Sequence, residues 1–186
     1  TVCECMGGKE PAHSFVKKAL ENHKHVVTSN KKMLASYAEE LFDLANANHV
    51  MLRYEASVGG GIPWMHEIAH IQRIDTIHSF YGIFNGTSNY ILNRMDTEGK
   101  ELEPMIKEAQ GLGYAERDPS DDIDGFDVRY KTALTSLAAF HTAVDPEQIP
   151  TYGIRNITME DIAFCHENGY VCKLIGSGEE QETTVN

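Results

Sequence analysis

The sequence predicts an α/β chain: a parallel strand–helix repeat in its first third, then a mixed α+β region. Three observations carry this. Short β-branched or apolar runs at residues 2–6, 25–30 and 50–57 alternate with amphipathic helical stretches, the rhythm of a parallel α/β unit. The glycines Gly59, Gly60 and Gly61 then break the pattern. Beyond them, the strand formers of residues 74–84 lead into long helical faces. A boundary is expected near Ile62, dividing residues 1–61 from residues 62–186.

Each element has its own warrant. VCECMGG reads as a short buried strand stopped by Gly7 and Gly8. Pro11 suits a helix's first turn, where a missing N–H costs nothing. Phe15, Val16, Ala19 and Leu20 follow at helical spacing. HVVTSN is the second strand. In the next helix Ser36 and Glu39 stand at capping-box spacing, and Leu34, Ala38, Leu41 and Ala45 form its apolar stripe. VMLRYEAS is the third strand. In the second region NGTSNYILNRM turns into a helix with Thr87 or Ser88 as its cap. Leu102, Met105, Ile106, Ala109 and Leu112 form a face that ends at Gly113, a C′ glycine. Residues 126–143 are the strongest helix, and a short strand is expected around residues 169–177. No internal repeat is found.

At 186 residues and 41% hydrophobic, the chain can bury a real core, one domain plus part of a second. A net charge of −12 argues against a nucleic-acid or anionic-membrane surface, which needs clustered Lys and Arg. No apolar run is long enough to span a bilayer, and no secretory signal is recognised. The cysteines Cys3, Cys5, Cys165 and Cys172 form neither C-x-x-C nor a paired metal pattern. A reduced, cytoplasmic protein is expected. The abrupt start at Thr1 and end at Asn186 lead to the expectation of a piece of a longer protein.

The densest chemistry lies in YAERDPSDDIDGFDVRYK, residues 114–131, which holds five aspartates and a glutamate. Lys131 follows Asp127 by four residues, so the two share a helix face and Asp127 is expected to hold the Lys131 ammonium. A fixed ammonium beside an acidic loop suits a small, amine-bearing substrate with a reacting oxygen. A calcium loop fails, because the register puts Lys131 where a ligating glutamate belongs. A merely solvated acidic loop is the plain alternative.

Three other groups compete. His66-Glu67-Ile68-Ala69-His70 matches H-E-x-x-H, the pattern of a zinc hydrolase. Arg73 stands where a metzincin has glycine, and no third ligand is evident, so a surface helix is the simpler reading. Glycines near residues 59–61 could turn carbonyls inward around a monovalent cation, or form a plain hinge. No dinucleotide or P-loop glycine fingerprint is present. Lys31 closes the second strand at the carboxyl side of the sheet, where ligands of open α/β sheets gather. It is either a cofactor or carboxylate contact there, or a solvated lysine.

VVTSNKKMLA, YEASVGGGIP, GIFNGTSNYIL and GLGYAERDPSDDIDGFDVRYK, in this order and spacing, resemble homoserine dehydrogenases. The likeness covers essentially the whole chain, and the fourth segment is highly specific. It implies the C-terminal part of a Rossmann-type parallel sheet (residues 1–61) plus an α+β substrate and dimerisation domain (residues 62–186). It implies NAD(P)-dependent interconversion of L-aspartate 4-semialdehyde and L-homoserine, a step toward threonine, methionine and isoleucine. By the same resemblance Lys131 is the catalytic acid/base with Asp127 beside it. Lys31 sits near nicotinamide and substrate, and Gly7 and Gly8 lie on the cofactor side. Glu116, Tyr114, Asp122, Gly86 and Thr87 are expected to bind substrate. The carbonyls of Glu55, Val58, Gly60 and Ile62 are expected to hold sodium. A homodimer is implied. The family's glycine-rich nucleotide turn precedes Thr1, so the chain alone is expected to bind NADP or NAD poorly and to be inactive. A non-catalytic dimerisation module and a His66–Glu67–His70 zinc hydrolase are the alternatives.

Overall fold

Three short parallel strands, β1 (Val2–Glu4), β2 (Val26–Thr28) and β3 (Leu52–Arg53), lie side by side in that order. Val26 is in register with Val2 on one side and Leu52 on the other. Parallel strands need long crossovers, supplied here by helices α1 (Ala12–Glu21) and α2 (Lys31–Ala47). The structure, a computed structural model, describes residues 1–180. Helix α1 buries Ala12, Val16 and Leu20, and α2 buries Met33, Leu34, Leu41 and Ala45. Each large aliphatic side chain fully removed from water stabilises the fold by about 1.5–3 kcal/mol before chain entropy is counted.

The chain continues through α3 (Trp64–Ile71), β4 (Ser79–Gly82), α4 (Gly86–Glu98), α5 (Leu102–Gly111) and α6 (Ser120–Ile123). Helix α7 (Phe126–Phe140), α8 (Met159–Glu167) and β5 (Gly176–Glu179) complete it. The described residues fall into two compact units, one built on residues 1–80, 130–149 and the segment from Ser177, the other on residues 81–129 and 150–176.

In the first unit, α3 is held to the later turns of α7 by polar contacts. The Trp64 indole N–H donates to Thr135 Oγ1 at 3.1 Å, and the Gln72 amide donates to the Ala138 and Ala139 carbonyls at 2.9 and 2.8 Å. Strands β4 and β5 form a separate two-stranded sheet. Gly178 leaves room for the Phe80 ring, which a Cβ would approach to 2.5 Å. In the second unit, Ile91, Leu92 and Met95 of α4 pack with Met105 and Ile106 of α5, Ile123, Ile154 and Ile162.

Four local expectations are corrected. In β1 only Glu4 is buried, while Val2 and Cys3 are exposed, because β1 pairs on one side alone within the described sheet. Helix α2 starts at Lys31, capped by Asn30, whose Oδ1 accepts the Met33 N–H at 3.1 Å. The chain bends at Tyr37, and the buried Ser36 hydroxyl has no hydrogen-bond partner among the described residues, so Ser36 and Glu39 form no capping box. Helix α4 is capped by Asn85, not by Thr87 or Ser88. The last strand lies at residues 176–179 rather than 169–177. Gly113 does take the left-handed conformation expected past α5, at φ 77°. Among the described residues no helix is long and apolar enough to cross a membrane.

Candidate functional site

The acidic span is organised by a residue outside it. Asn85, at the mouth of α4, is only 5% exposed. Its Oδ1 accepts the Ser88 N–H at 2.7 Å and the Ser88 hydroxyl at 2.8 Å, which caps the helix. Its Nδ2 donates to Asp122 Oδ1 at 2.6 Å and to Asp127 Oδ2 at 2.9 Å. One amide thus orients two carboxylates, and Asp127 is itself 5% exposed.

The other carboxylates divide by partner. The Ser120 hydroxyl donates to Asp118 at 2.5 Å and holds its carboxyl below the usual range. Arg155 grips Asp124 through two bonds, at 2.7 and 2.8 Å, and lowers its carboxyl likewise. Asp118 and Asp124 therefore shape the loop, while Asp122 and Asp127 share Asn85. The span is closed from behind by Gly153. A Cβ there would lie 2.1 Å from the Ile123 carbonyl oxygen, which already accepts the Ile154 N–H at 2.7 Å.

The expected substrate ligands sit around this turn. Gly86 opens α4, and a Cβ on it would meet nothing within 4 Å. Thr87 donates its hydroxyl to the Tyr114 carbonyl at 2.8 Å, tying α4 to the acidic span. The exposed Tyr114 ring meets the Tyr90 ring edge-on at 4.9 Å. Glu116 is exposed, and its carbonyl accepts the Gln110 amide at 3.0 Å. Asp127 lies in the first turn of α7, and Lys131 follows one turn later on the same helix, half-buried.

At the carboxyl ends of β1 and β2, Gly7, Gly8 and the segment Ser29–Lys31 come together. The Asn30 side-chain amide donates to the Gly8 carbonyl at 2.8 Å, and Lys31 is the first residue of α2. Gly8 has φ 78°, and a Cβ on Gly7 would meet nothing within 4 Å. Gly7 thus leaves open space at the carboxyl edge of the sheet, where ligands of open α/β sheets gather.

The remaining candidates are placed as follows. Glu55 begins a 3₁₀ turn whose end packs the buried Val58. Gly59 and Gly60 have φ 82° and 60°, the left-handed region that glycine adopts without strain. The Ile62 carbonyl accepts the Trp64 N–H at 2.7 Å, and the Glu55 carbonyl accepts the Val58 N–H at 3.4 Å, so each has one lone pair left for a cation. His66, Glu67 and His70 are exposed on α3, with imidazole centroids 6.4 Å apart. Glu67 lies 3.6 Å from His70, and among the described residues no group of three potential ligands forms a metal site. A groove of about 660 Å³ beside Phe42, Tyr54, Met65 and Gln72 contains none of the expected site residues.

A parallel sheet crossed by helices, joined in one chain to a clustered-carboxylate turn, defines an α/β protein with a Rossmann-like first part. Residues 1–55 match the family described as homoserine dehydrogenase, NAD binding domain, and residues 63–186 match homoserine dehydrogenase. The chain belongs to the homoserine dehydrogenase family. It is 42% identical to the homoserine dehydrogenase of Lactococcus lactis subsp. lactis over 99% of its own length and 43% of that relative's. Its structure superposes on the homoserine dehydrogenase of Thiobacillus denitrificans with TM-score 0.94 and 42% identity, covering 97% of this chain and 42% of that one. A hyperthermophilic archaeal homoserine dehydrogenase mutant in complex with NADPH matches with TM-score 0.83 and 29% identity, over 96% of this chain and 52% of that one. The chain therefore spans less than half the length of the curated relative it matches.

Asn85 and Glu4 are the residues that sequence reasoning missed. Asn85 stood within the quoted GIFNGTSNYIL segment, and a cap-forming Asn before a helical run was the available signal. A charged residue inside an apolar strand was the signal for Glu4.

Proposed function

We propose that the full-length protein containing this chain interconverts L-aspartate 4-semialdehyde and L-homoserine, on the route to threonine, methionine and isoleucine. The observation that carries the reading is the pair Asp122–Asp127 fixed by one buried amide, in a chain of this family. When bound, a nicotinamide dinucleotide, NADP or NAD, supplies or accepts the hydride. The NADPH complex of the archaeal relative supports that class of cofactor. Lys131 stabilises the alkoxide that develops as the aldehyde is reduced and gives it a proton; in the reverse direction it removes the hydroxyl proton. Asp122, Asp127 and Glu116 receive the substrate ammonium, with Tyr114, Gly86 and Thr87 lining the same turn. Lys31, Gly7 and Gly8 serve the cofactor side. Carbonyls of Glu55, Val58, Gly60 and Ile62 hold a sodium ion that stiffens the glycine turn.

A homodimer and a cytoplasmic setting complete the reading. Exposed Tyr81 and Ile83, on and beside β4, support the first, and four cysteines free of disulfides support the second. The test is homoserine-dependent reduction of NADP and NAD by the full-length protein, beside its Lys131→Ala variant. Activity is expected in the first, with a loss of about 10²–10⁴-fold in the second. Near-full activity in the variant removes Lys131 from the mechanism. Glu116→Gln should raise KM for homoserine; an unchanged KM counts against a binding role.

A further inference from the structure

Glu4 is an anomaly in its strand. It is the one carboxylate of β1, it is 4% exposed, and it has no place in the proposed chemistry. A charge is buried at this depth only when several donors hold it. Three do. The Met6 N–H donates to Glu4 Oε1 at 2.6 Å, the Thr28 hydroxyl to Oε2 at 2.5 Å, and the Asn30 amide to Oε1 at 3.4 Å.

Each donor belongs to a different part of the cofactor edge. Met6 leads into Gly7 and Gly8. Thr28 ends β2, its hydroxyl accepts the Asn30 N–H at 2.9 Å, and its carbonyl accepts the Ser57 hydroxyl at 3.3 Å. Asn30 ties the Gly8 carbonyl to α2, since its other side-chain atom caps that helix at Met33. The Lys31 N–H donates at 3.1 Å to the carbonyl of Ser29, which lies between Thr28 and Asn30 and whose own N–H donates to the Glu4 backbone carbonyl at 3.4 Å, so the lysine backbone is tied to the turn that Glu4 holds.

We propose that Glu4 is a positioning residue for the hydride-transfer reaction: its buried carboxylate clamps the Gly7–Gly8 loop to the Thr28–Asn30 turn and thereby sets Lys31 at the nicotinamide and substrate. It touches neither substrate nor cofactor and acts through Thr28 and Asn30. The inference rests on the functional reading above. It predicts a defect in kcat rather than in homoserine binding, because the substrate carboxylates lie on other elements.

The experiment compares full-length wild type with Glu4→Ala, Glu4→Gln and Thr28→Val. Steady-state kinetics are read with the deuterium isotope effect from deuterated reduced cofactor, and backbone hydrogen exchange is read in each protein. Glu4→Ala should lower kcat about 10–100-fold, the scale of a small misplacement of a reacting group, with KM for homoserine little changed and the isotope effect on kcat raised. Amide exchange should quicken at Met6, Asn30 and Met33 and stay unchanged in α5. Glu4→Gln should recover most of kcat, because its carbonyl can take the Met6 N–H while its amide donates to a rotated Thr28 hydroxyl. If Glu4→Ala does not fold, Thr28→Val carries the same expectation through its lost donor. A folded Glu4→Ala or Thr28→Val protein with wild-type kcat, or with unchanged exchange at Met6 and Met33, overturns the positioning role. Wild-type protein without homoserine-dependent turnover overturns the functional reading alone, and the exchange data still decide the clamp.

Discussion

Replacing Asn85 by alanine should damage the acidic turn more than any exposed aspartate substitution would. The Ser88 N–H loses its acceptor, and a lost N-cap costs about 1 kcal/mol. Asp127, 5% exposed, loses a donor at 2.9 Å, and stripping a partner from a buried polar group costs about 1–3 kcal/mol. Asp122 is only half-buried and adds less. The sum is about 2–4 kcal/mol. The assay is urea unfolding of Asn85→Ala beside Ser88→Ala, which removes only the hydroxyl donor to Oδ1 and should cost about 0.5–1.5 kcal/mol. KM for homoserine should rise in the Asn85 variant, because both carboxylates lose their orienting bond. A stability loss under about 0.5 kcal/mol, the range of featureless surface changes, together with unchanged KM, would refute the assignment of Asn85 as the hub of this turn.

Three further outcomes are expected. Gly153→Ala puts a Cβ 2.1 Å from the Ile123 carbonyl oxygen, a backbone atom that cannot rotate away; a loss of about 1–3 kcal/mol or more should appear in the urea midpoint, and a neutral variant would mean the loop yields freely. Arg155 holds the Asp124 carboxyl below its ordinary value of 3.8, so the pair stabilises the fold at higher pH and loses that contribution as pH falls through the depressed value. Because Arg155 is half exposed, the Arg155→Met penalty should be under about 1 kcal/mol at pH 7 and shrink toward zero as pH drops below about 4; a penalty that grows on acidification would contradict the sign. A His66→Ala, His70→Ala double variant should keep homoserine turnover within about twofold of wild type, and stoichiometric zinc in the purified protein, lost with those histidines, would revive a metal role for α3.

The parallel strand–helix rhythm was legible because it rests on periodicity, which local sequence carries. The face of α2 followed from the same signal, as did most of α1 and α5, except that Phe15 and Leu112, expected on those faces, are 55% and 57% exposed. Where reading failed, a local rule met a competing partner. Ser36 and Glu39 had the right spacing for a cap, but Asn30 had already started the helix at Lys31. Thr87 had the right chemistry to cap α4, but its hydroxyl is spent on the Tyr114 carbonyl. The acidic span was visible as a concentration of charge; its division into Asp118 and Asp124 on one side and Asp122 and Asp127 on the other was not. That division depends on Asn85, 37 and 42 residues from Asp122 and Asp127, and on Arg155, 31 residues from Asp124.

Glu4 and Asn85 solve the same physical problem in the two units. A loop that must meet a polar ligand exposes backbone N–H and carbonyl groups and cannot be held by apolar packing alone. Each loop is instead anchored from behind by one buried side chain that engages several of its atoms at once: Glu4 takes Met6, Thr28 and Asn30, and Asn85 takes Ser88, Asp122 and Asp127. Such a hub is strong only when complete, because removing the central residue takes one hydrogen bond from each of its partners at once. It also couples order to chemistry. In the proposed reading the Gly7–Gly8 loop takes its position from Glu4, through Met6 and Asn30, and Asp122 and Asp127 take theirs from Asn85. Substitutions at Glu4 and Asn85 should therefore act on turnover and substrate affinity out of proportion to their distance from the reacting atoms, which separates them from the packed leucines and isoleucines behind them.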